Sequence, residues 1–389
     1  MANSAGVRQD KVRFIVADLE ETLGTFVFDP TDATNGGPNN GTLASSLRLP
    51  ARAESRLMAT DADVISNSEA LDGYAGEVAS TRGGMGMGGT LVTEVRSNAV
   101  ANVFPTHVKQ LLASGFQATS YTGGTFTLVL DPSTKALAAW TYPETGAVKN
   151  PGAMSIAEVL IDNNTADEWT GVRGAVLATK INLPTNGMVT YESGITGLVQ
   201  NDVILDVATV DLSGFGGEPA GQGNIPAVVK AATVAITYYD DDTYSSAQTI
   251  TPDMIRDLSI DLAPNIIRVE DPTATNGYTI SPVFYDGAIG VNWTWADSSG
   301  YGGSPAVTSG AIMAGMKSQR GFISIAVTLT LLDTTTDQTI KYDLPCIQYD
   351  AERANASGAR AFQFTGKAVR RNRGDNTSPF TVTYVHGNT

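Results

Sequence analysis

Apolar and polar residues alternate at period two along much of this chain, most clearly between Phe322 and Val369. Phe322-Ile-Ser-Ile-Ala-Val-Thr-Leu-Thr-Leu-Leu-Asp333 reads as a long strand. The polar turn Thr334-Thr-Thr-Asp-Gln338 follows, then a second strand, Thr339-Ile-Lys-Tyr-Asp-Leu344. Ala361-Phe-Gln-Phe-Thr-Gly-Lys-Ala-Val369 alternates again. Alternation puts one face of each strand on a core and the other on water or a partner. Strands this long and this poor in charge suit an assembly in which neighbours cover edges and faces.

The same pattern predicts strands at Val12–Val16, Thr90–Arg96, Thr125–Leu130, Ala136–Trp140, Ser155–Ile161, Gly174–Leu183, Met188–Leu198 and Val203–Leu212. Asn186-Gly187 marks a tight hairpin between two of them. Further strands are expected at Ala232–Tyr239, Ile255–Leu262, Gly277–Phe284, Ala288–Trp295 and Phe380–Val385. A helix is expected over Phe104–Gly115, with Pro105 near its start, Gly115 just past its end, and Val108, Leu111 and Leu112 on one face. A second, shorter helix over Ser309–Lys317 is weakened by its glycines.

Element order repeats along the chain. Strand Thr90–Arg96, helix Pro105–Ser114 and strand Thr125–Leu130 match strand Ala288–Trp295, helix Ala311–Lys317 and strand Phe322–Leu332. The segment Val189–Gly197 then matches Ala361–Gly366. The Gly-rich run Ser213–Asn224 is the linker candidate, giving a first β domain over 1–215 and a second over 216–389. The expected fold is mainly β: tandem sandwich or barrel units, each with a short flanking helix.

Composition supports this. Forty glycines and 17% charged residues fit an all-β chain rather than a helical or disordered one. The 40 acidic residues against 25 basic ones give a net charge of −15, which argues against a surface built to grip nucleic acid. One cysteine, Cys346, excludes an intrachain disulfide framework. With no apolar signal core at the N-terminus and no apolar run of about 18 residues, the expectation is cytoplasmic folding without a membrane span.

No stretch carries a catalytic signature. Arg82-Gly-Gly-Met-Gly-Met-Gly-Gly89 leads into a strand, without the helix and Lys of a phosphate loop, and reads as a flexible interaction loop in which Met85 and Met87 could touch a neighbour. His107 and His386 are the only histidines, and neither stands beside a marked nucleophile. Cys346, between Pro345 and Ile347, reads as a small buried hydrophobe. Asp240-Asp-Asp242 and Asp61-Ala-Asp63 lack calcium-loop spacing and read as solvated turns. Trp293 and Trp295 share one face of a strand, with Tyr238 and Tyr239 on another, and could form either a core or a sugar platform. Arg370-Arg-Asn-Arg373 is the one basic cluster. No catalytic, cofactor-binding or metal-binding residue is nominated.

Several features together resemble a bacteriophage major tail tube protein of the long-tailed, siphophage type. They are Glu20-Glu-Thr-Leu-Gly-Thr25, Ala53-Glu-Ser-Arg56, the Gly-rich run into Gly88-Gly-Thr-Leu-Val-Thr-Glu94 and the helix after it. Gly171-Val-Arg-Gly-Ala-Val176, Asn186-Gly-Met-Val-Thr-Tyr-Glu192 and Ala361-Phe-Gln-Phe-Thr-Gly-Lys-Ala368 complete the set. The resemblance implies a virion structural protein, stacked as rings around a DNA-conducting channel and assembled in the host cytoplasm. Its partners would be itself, in hexameric or trimeric pseudo-hexameric rings, and the tape-measure, tail terminator and distal tail proteins. Viral DNA would pass through without specific binding. A doubled chain would account for the length and favour trimers. Asp257, Asp261 and Glu94 are the candidate lumen-facing acids, and the N-terminal arm with loops 31–41 and 73–89 the candidate contacts between rings. The alternative is a carbohydrate-binding β-sandwich adhesin using Trp293 and Trp295.

Overall fold

The computed structural model describes residues 12–20, 24, 26–27, 49–59, 64–65, 81–82, 86–97, 106–122, 125–129, 140–141, 148–149, 153–162, 165–201, 227, 232–239, 247–250, 255–262, 265–270, 278–283, 289–296, 313–314, 322–331, 338–356, 359–370 and 378–385. Expected elements at Val203–Leu212 and the linker candidate Ser213–Asn224 lie outside these residues.

The molecule is mainly β, and every described strand pairing is antiparallel. The chain begins with β1 (Val12–Leu19), β2 (Arg56–Ala59), β3 (Val64–Ile65), β4 (Thr81–Arg82) and β5 (Gly86–Glu94). Helix α1 (Thr106–Ala113) leads to β6 (Gln117–Thr122), β7 (Thr125–Val129), β8 (Trp140–Thr141) and β9 (Val148–Lys149). A meander follows: β10 (Met154–Asp162), β11 (Thr165–Leu183) and β12 (Thr190–Asn201).

Next come β13 (Ala232–Tyr239), β14 (Ala247–Ile250), β15 (Ile255–Asp261), β16 (Asn265–Glu270), β17 (Tyr278–Val283) and β18 (Ile289–Ala296). A second meander, β19 (Phe322–Leu331), β20 (Gln338–Ala356) and β21 (Ala359–Ala368), precedes β22 (Thr381–Val385). Sixteen strands join one sheet, which is not closed, and β3–β4, β8–β9 and β16–β17 form separate pairs. Of the shorter expected helix, Met313 and Ala314 are described, and both are helical.

Two sets of six strands pair in the same order. The first runs β1-β10-β11-β12-β5-β2 across the sheet, and the second β13-β19-β20-β21-β18-β15. In each set the first two strands in sequence stand at opposite ends, the third lies inside the second, and the last three form the meander between. Helix α1 precedes the first meander and the turn at Met313 the second.

The middle strands, β11 and β20, are each 19 residues long. Both carry a bulge at the same place, three residues of the long strand spanning two of its neighbour. Ile156↔Val172 and Met154↔Ala175 flank one bulge, and Ile325↔Leu344 and Ile323↔Ile347 flank the other. A bulge bends a strand and increases its twist, letting its two ends serve different neighbours. β11 loses β10 after Ala175 and takes β15 on that edge, with Lys180↔Asp261, Ile181↔Ile260, Asn182↔Ser259 and Leu183↔Leu258 in register. This junction joins the two sets, while β22 pairs with β20 on one side and with β7 of the β6–β7 hairpin on the other.

Sequence expectations gave shorter versions of the two long strands. The expected strand Thr339–Leu344 stops where β20 continues through its bulge to Ala356, and the expected strand from Gly174 begins where β11 already runs from Thr165. Alternating side chains fill the core: Leu91, Leu177, Ile181, Tyr191 and Ile195 from the first set, and Ile260, Val291, Trp293, Ile325 and Phe364 from the second.

Helix α1 lies against β11 and β1 and is buried all round from His107 onward. Its polar side chains therefore need partners. Lys109 Nζ sits 3.1 Å from Asp18 Oδ1 on β1. Gln110 Nε2 donates to Thr93 Oγ1 at 2.8 Å, and its Oε1 accepts from Ser193 at 3.3 Å. The Ser193 hydroxyl meets Thr179 at 2.8 Å, and Thr179 meets Ser114 at 2.6 Å.

Candidate functional site

The broadest feature available for function is one face of the sheet. Side chains directly opposite each other on paired strands share a face, and one run of register crosses both strand sets. It passes Val92, Glu192, Lys180, Asp261, Gly290, Lys367 and Gln348. The neighbouring row passes Glu94, Thr190, Asn182, Ser259, Asn292, Thr365 and Asp350. Apart from Thr190, these residues are half-buried or exposed, while their neighbours along each strand are the buried core. The result is a continuous polar surface over β5, β12, β11, β15, β18, β21 and the far half of β20, with β2 at its end.

Threonine, asparagine, serine, glutamine and glycine make up much of this face. Carboxylates outnumber cations on it: Glu94, Glu192, Asp261, Asp350 and Glu352 against Arg96, Lys180 and Lys367, with Arg56 on the end strand. The signs are interleaved. Lys180 stands between Glu192 and Asp261 in register, and Arg96 Nη2 lies 2.6 Å from Glu94 Oε2. Among the described residues no cluster of positive charge forms on this face, so they offer a polyanion no concentrated site.

Of the three nominated acids, Glu94 and Asp261 lie on this face. Asp257 has another task. It sits at φ 52° in the β15 irregularity, its Oδ1 accepts the Thr185 N–H at 3.1 Å, and its own N–H donates to Thr185 Oγ1 at 3.1 Å. It ties the β11–β12 turn to β15, across the junction between the two sets.

Other expectations need correction. Gly86–Gly89 belong to β5 rather than to a loop, and Met87 is fully buried, so it cannot be a contact to a neighbour. A Cβ at Gly89 would collide with the Arg56 carbonyl, which explains a glycine inside the strand. Loops 31–41 and 73–80 lie outside the described residues, as do Asp240–Asp242, His386 and Arg371–Arg373.

The arm at Glu20 is fastened inward. Glu20 Oε1 accepts from Ser155 Oγ at 2.8 Å and Gly174 N–H at 2.7 Å, and Oε2 from Gly24 N–H at 2.6 Å. Burial raises its pKa, opposed by those hydrogen bonds and by Arg173. The carboxylate clasps the β11 bulge, where Gly174 takes φ +57°.

Trp293 and Trp295 are 1% and 0% exposed, and Trp293 stacks on Phe364 with centroids 4.8 Å apart. No sugar can stack on rings packed in this way. Cys346 is buried, as the sequence suggested. His107 is buried against the edge of Tyr191 and its Nε2 has no hydrogen-bond partner; burial lowers its pKa to about 3. Among the described residues no group of His, Cys, Asp and Glu is arranged to hold a metal, and no helix is long and apolar enough to cross a membrane.

Sequence reasoning missed the contact between the halves. Tyr191 of β12 and Tyr342 of β20 meet hydroxyl to hydroxyl at 2.6 Å inside the core. Phe116 packs edge-on against Phe380, and Phe126 lies against Tyr384. Only long-range pairing brings these residues together, so no local pattern marks them. No protein-family model matches the chain, and no curated protein matches it.

Proposed function

We propose that this chain is a self-assembling structural subunit that builds stacked rings, as in the tail tube of a long-tailed bacteriophage. In this reading its halves are tandem tail-tube-type β units and its activity is a shape rather than a reaction. The observation that carries it is the sheet itself: twice-repeated strand order, one continuous polar face and, among the described residues, no strand beyond β2 where that face ends. An open edge of this kind is a liability in a solitary protein and a joint in an assembly. Ring closure removes it.

A doubled chain supplies two of six equivalent sectors, so three copies complete a pseudo-hexameric ring. The polar face then lines the channel. Its short uncharged side chains and neutralised cations suit DNA that must slide through without being held. The tape-measure, tail terminator and distal tail proteins are the expected further partners, the virion tail the expected location. The burial of both strand tryptophans weighs against the adhesin alternative.

Negative-stain electron microscopy of the purified chain, across rising concentration, tests the proposal. Rings or hollow tubes of uniform bore are expected. A compact monomer at every concentration overturns it.

A further inference from the structure

The loop joining β11 to β12 carries a chemistry that the fold leaves exposed. Asparagine is a thermolabile residue. Among the described residues Asn186 is the only asparagine followed by glycine, and it lies exposed at the surface. The β11–β12 ladder ends at Asn182↔Thr190, and neither Asn186 nor Gly187 takes a left-handed φ. The pair therefore does not form the two-residue turn that its sequence suggests, but sits in a wider loop outside the ladder.

The start of that loop is held from β15. Asp257 Oδ1 accepts the Thr185 N–H at 3.1 Å, and Thr185 Oγ1 accepts the Asp257 N–H at 3.1 Å. A Cβ at Gly187 would lie 3.0 Å from Pro184 Cγ, so the position favours glycine for space rather than for its φ. Neither contact involves the Asn186 side chain.

We propose that Asn186 is a site of spontaneous deamidation, through which the loop gains a carboxylate as the chain ages. The Gly187 nitrogen attacks Asn186 Cγ, forming a C–N bond and closing a succinimide ring. The side-chain nitrogen leaves as ammonia, taking the proton that the Gly187 nitrogen gives up. Water then opens the ring at either carbonyl. One opening gives aspartate, and the other reroutes the main chain through the side-chain carbonyl to give isoaspartate. Glycine hinders this attack least, because no Cβ shields its nitrogen. Asn182 and Asn292 precede Leu183 and Trp293, bulky residues paired into the sheet, which keeps their peptide nitrogens from the asparagine side chain.

The location gives the change a consequence. The new carboxylate arises one residue from Thr185, which Asp257 holds across the junction between the two strand sets. Like charges in that loop repel, and isoaspartate adds a methylene to its backbone. Deamidation should therefore loosen the Thr185–Asp257 clasp. The inference goes beyond the ring-forming reading and is independent of whether the chain assembles.

Peptide mapping of the full chain, aged in mildly alkaline buffer and set against an unaged control, tests the site. Trypsin releases residues 181–230, which contain no second Asn-Gly. This peptide should give two products with the mass of an acid in place of an amide, and fragmentation should place the change at Asn186. The isoaspartyl product should accept a methyl group from a protein isoaspartate methyltransferase. Asn186→Gln should stay unconverted, because the longer side chain closes its ring far more slowly.

The folded chain should convert nearly as fast as the chain unfolded in urea. A folded chain that keeps Asn186 intact while the unfolded chain converts overturns the proposal, and aspartate as the sole product overturns the succinimide route. Hydrogen exchange at Thr185 and Asp257 should be faster in Asn186→Asp than in the parent. Equal exchange there overturns the consequence for the junction.

Discussion

His107 shows how a single residue reports on the packing around it. Its ring is enclosed by α1 and the edge of Tyr191, and desolvation lowers its pKa from 6.5 to about 3. Below pH 6.5 the unfolded chain takes up a proton that the folded chain refuses until about pH 3, so the His107 contribution to stability is lost as pH falls through that window. Glu20 acts in the opposite sense, because its raised pKa gives stability that is full below 4.5 and fades above it. Thermal melts of His107→Leu, each normalised to its value at pH 7, should therefore decline less between pH 6.5 and 4.5 than those of the parent. An identical decline would remove His107 as the cause. The sequence placed this residue on a helix but gave no hint of its isolation. Likewise Met87 looked like a loop contact because glycines surround it, although the strand that buries it is made by pairing with β12 and β2.

At the scale of elements, the central strands explain most of the architecture. Alternation made β19, β21 and β22 legible, since each keeps one face buried along its length. It failed where a bulge shifts the phase, at Gly174 in β11 and near Pro345 in β20, because a one-residue slip reverses which side chains face the core. Gly366 in β21 marks how closely the neighbouring backbone approaches. A Cβ there would sit 2.7 Å from Ile347 Cγ2 and 3.0 Å from the Gln348 carbonyl. Gly366→Ala should cost about 1–3 kcal/mol through overpacking, read as a lower urea midpoint at unchanged m. A neutral result would mean that the β20 bulge yields easily.

For the whole molecule, element order in the sequence hinted at a repeat, while the six-strand pairing and its joints depend on contacts between distant residues. The candidate polar face was partly legible: Glu94 and Asp261 lie on it, whereas Asp257 serves a turn. One buried contact between the halves is the hydroxyl pair of Tyr191 and Tyr342, 2.6 Å apart. Removing one hydroxyl strands the other in an apolar site, so Tyr342→Phe should cost about 1–3 kcal/mol, and adding Tyr191→Phe should restore much of it. Equal and additive losses in a double-mutant cycle would show that the hydroxyl pair does not couple the halves.

The seam between β11 and β15 has a genetic corollary. Both edges of this seam belong to one polypeptide, so the register between them is inherited as a unit. A substitution at Lys180 can therefore be answered by one at Asp261 in the same gene. A seam between separate identical copies has no such freedom, because each substitution appears in every copy at once.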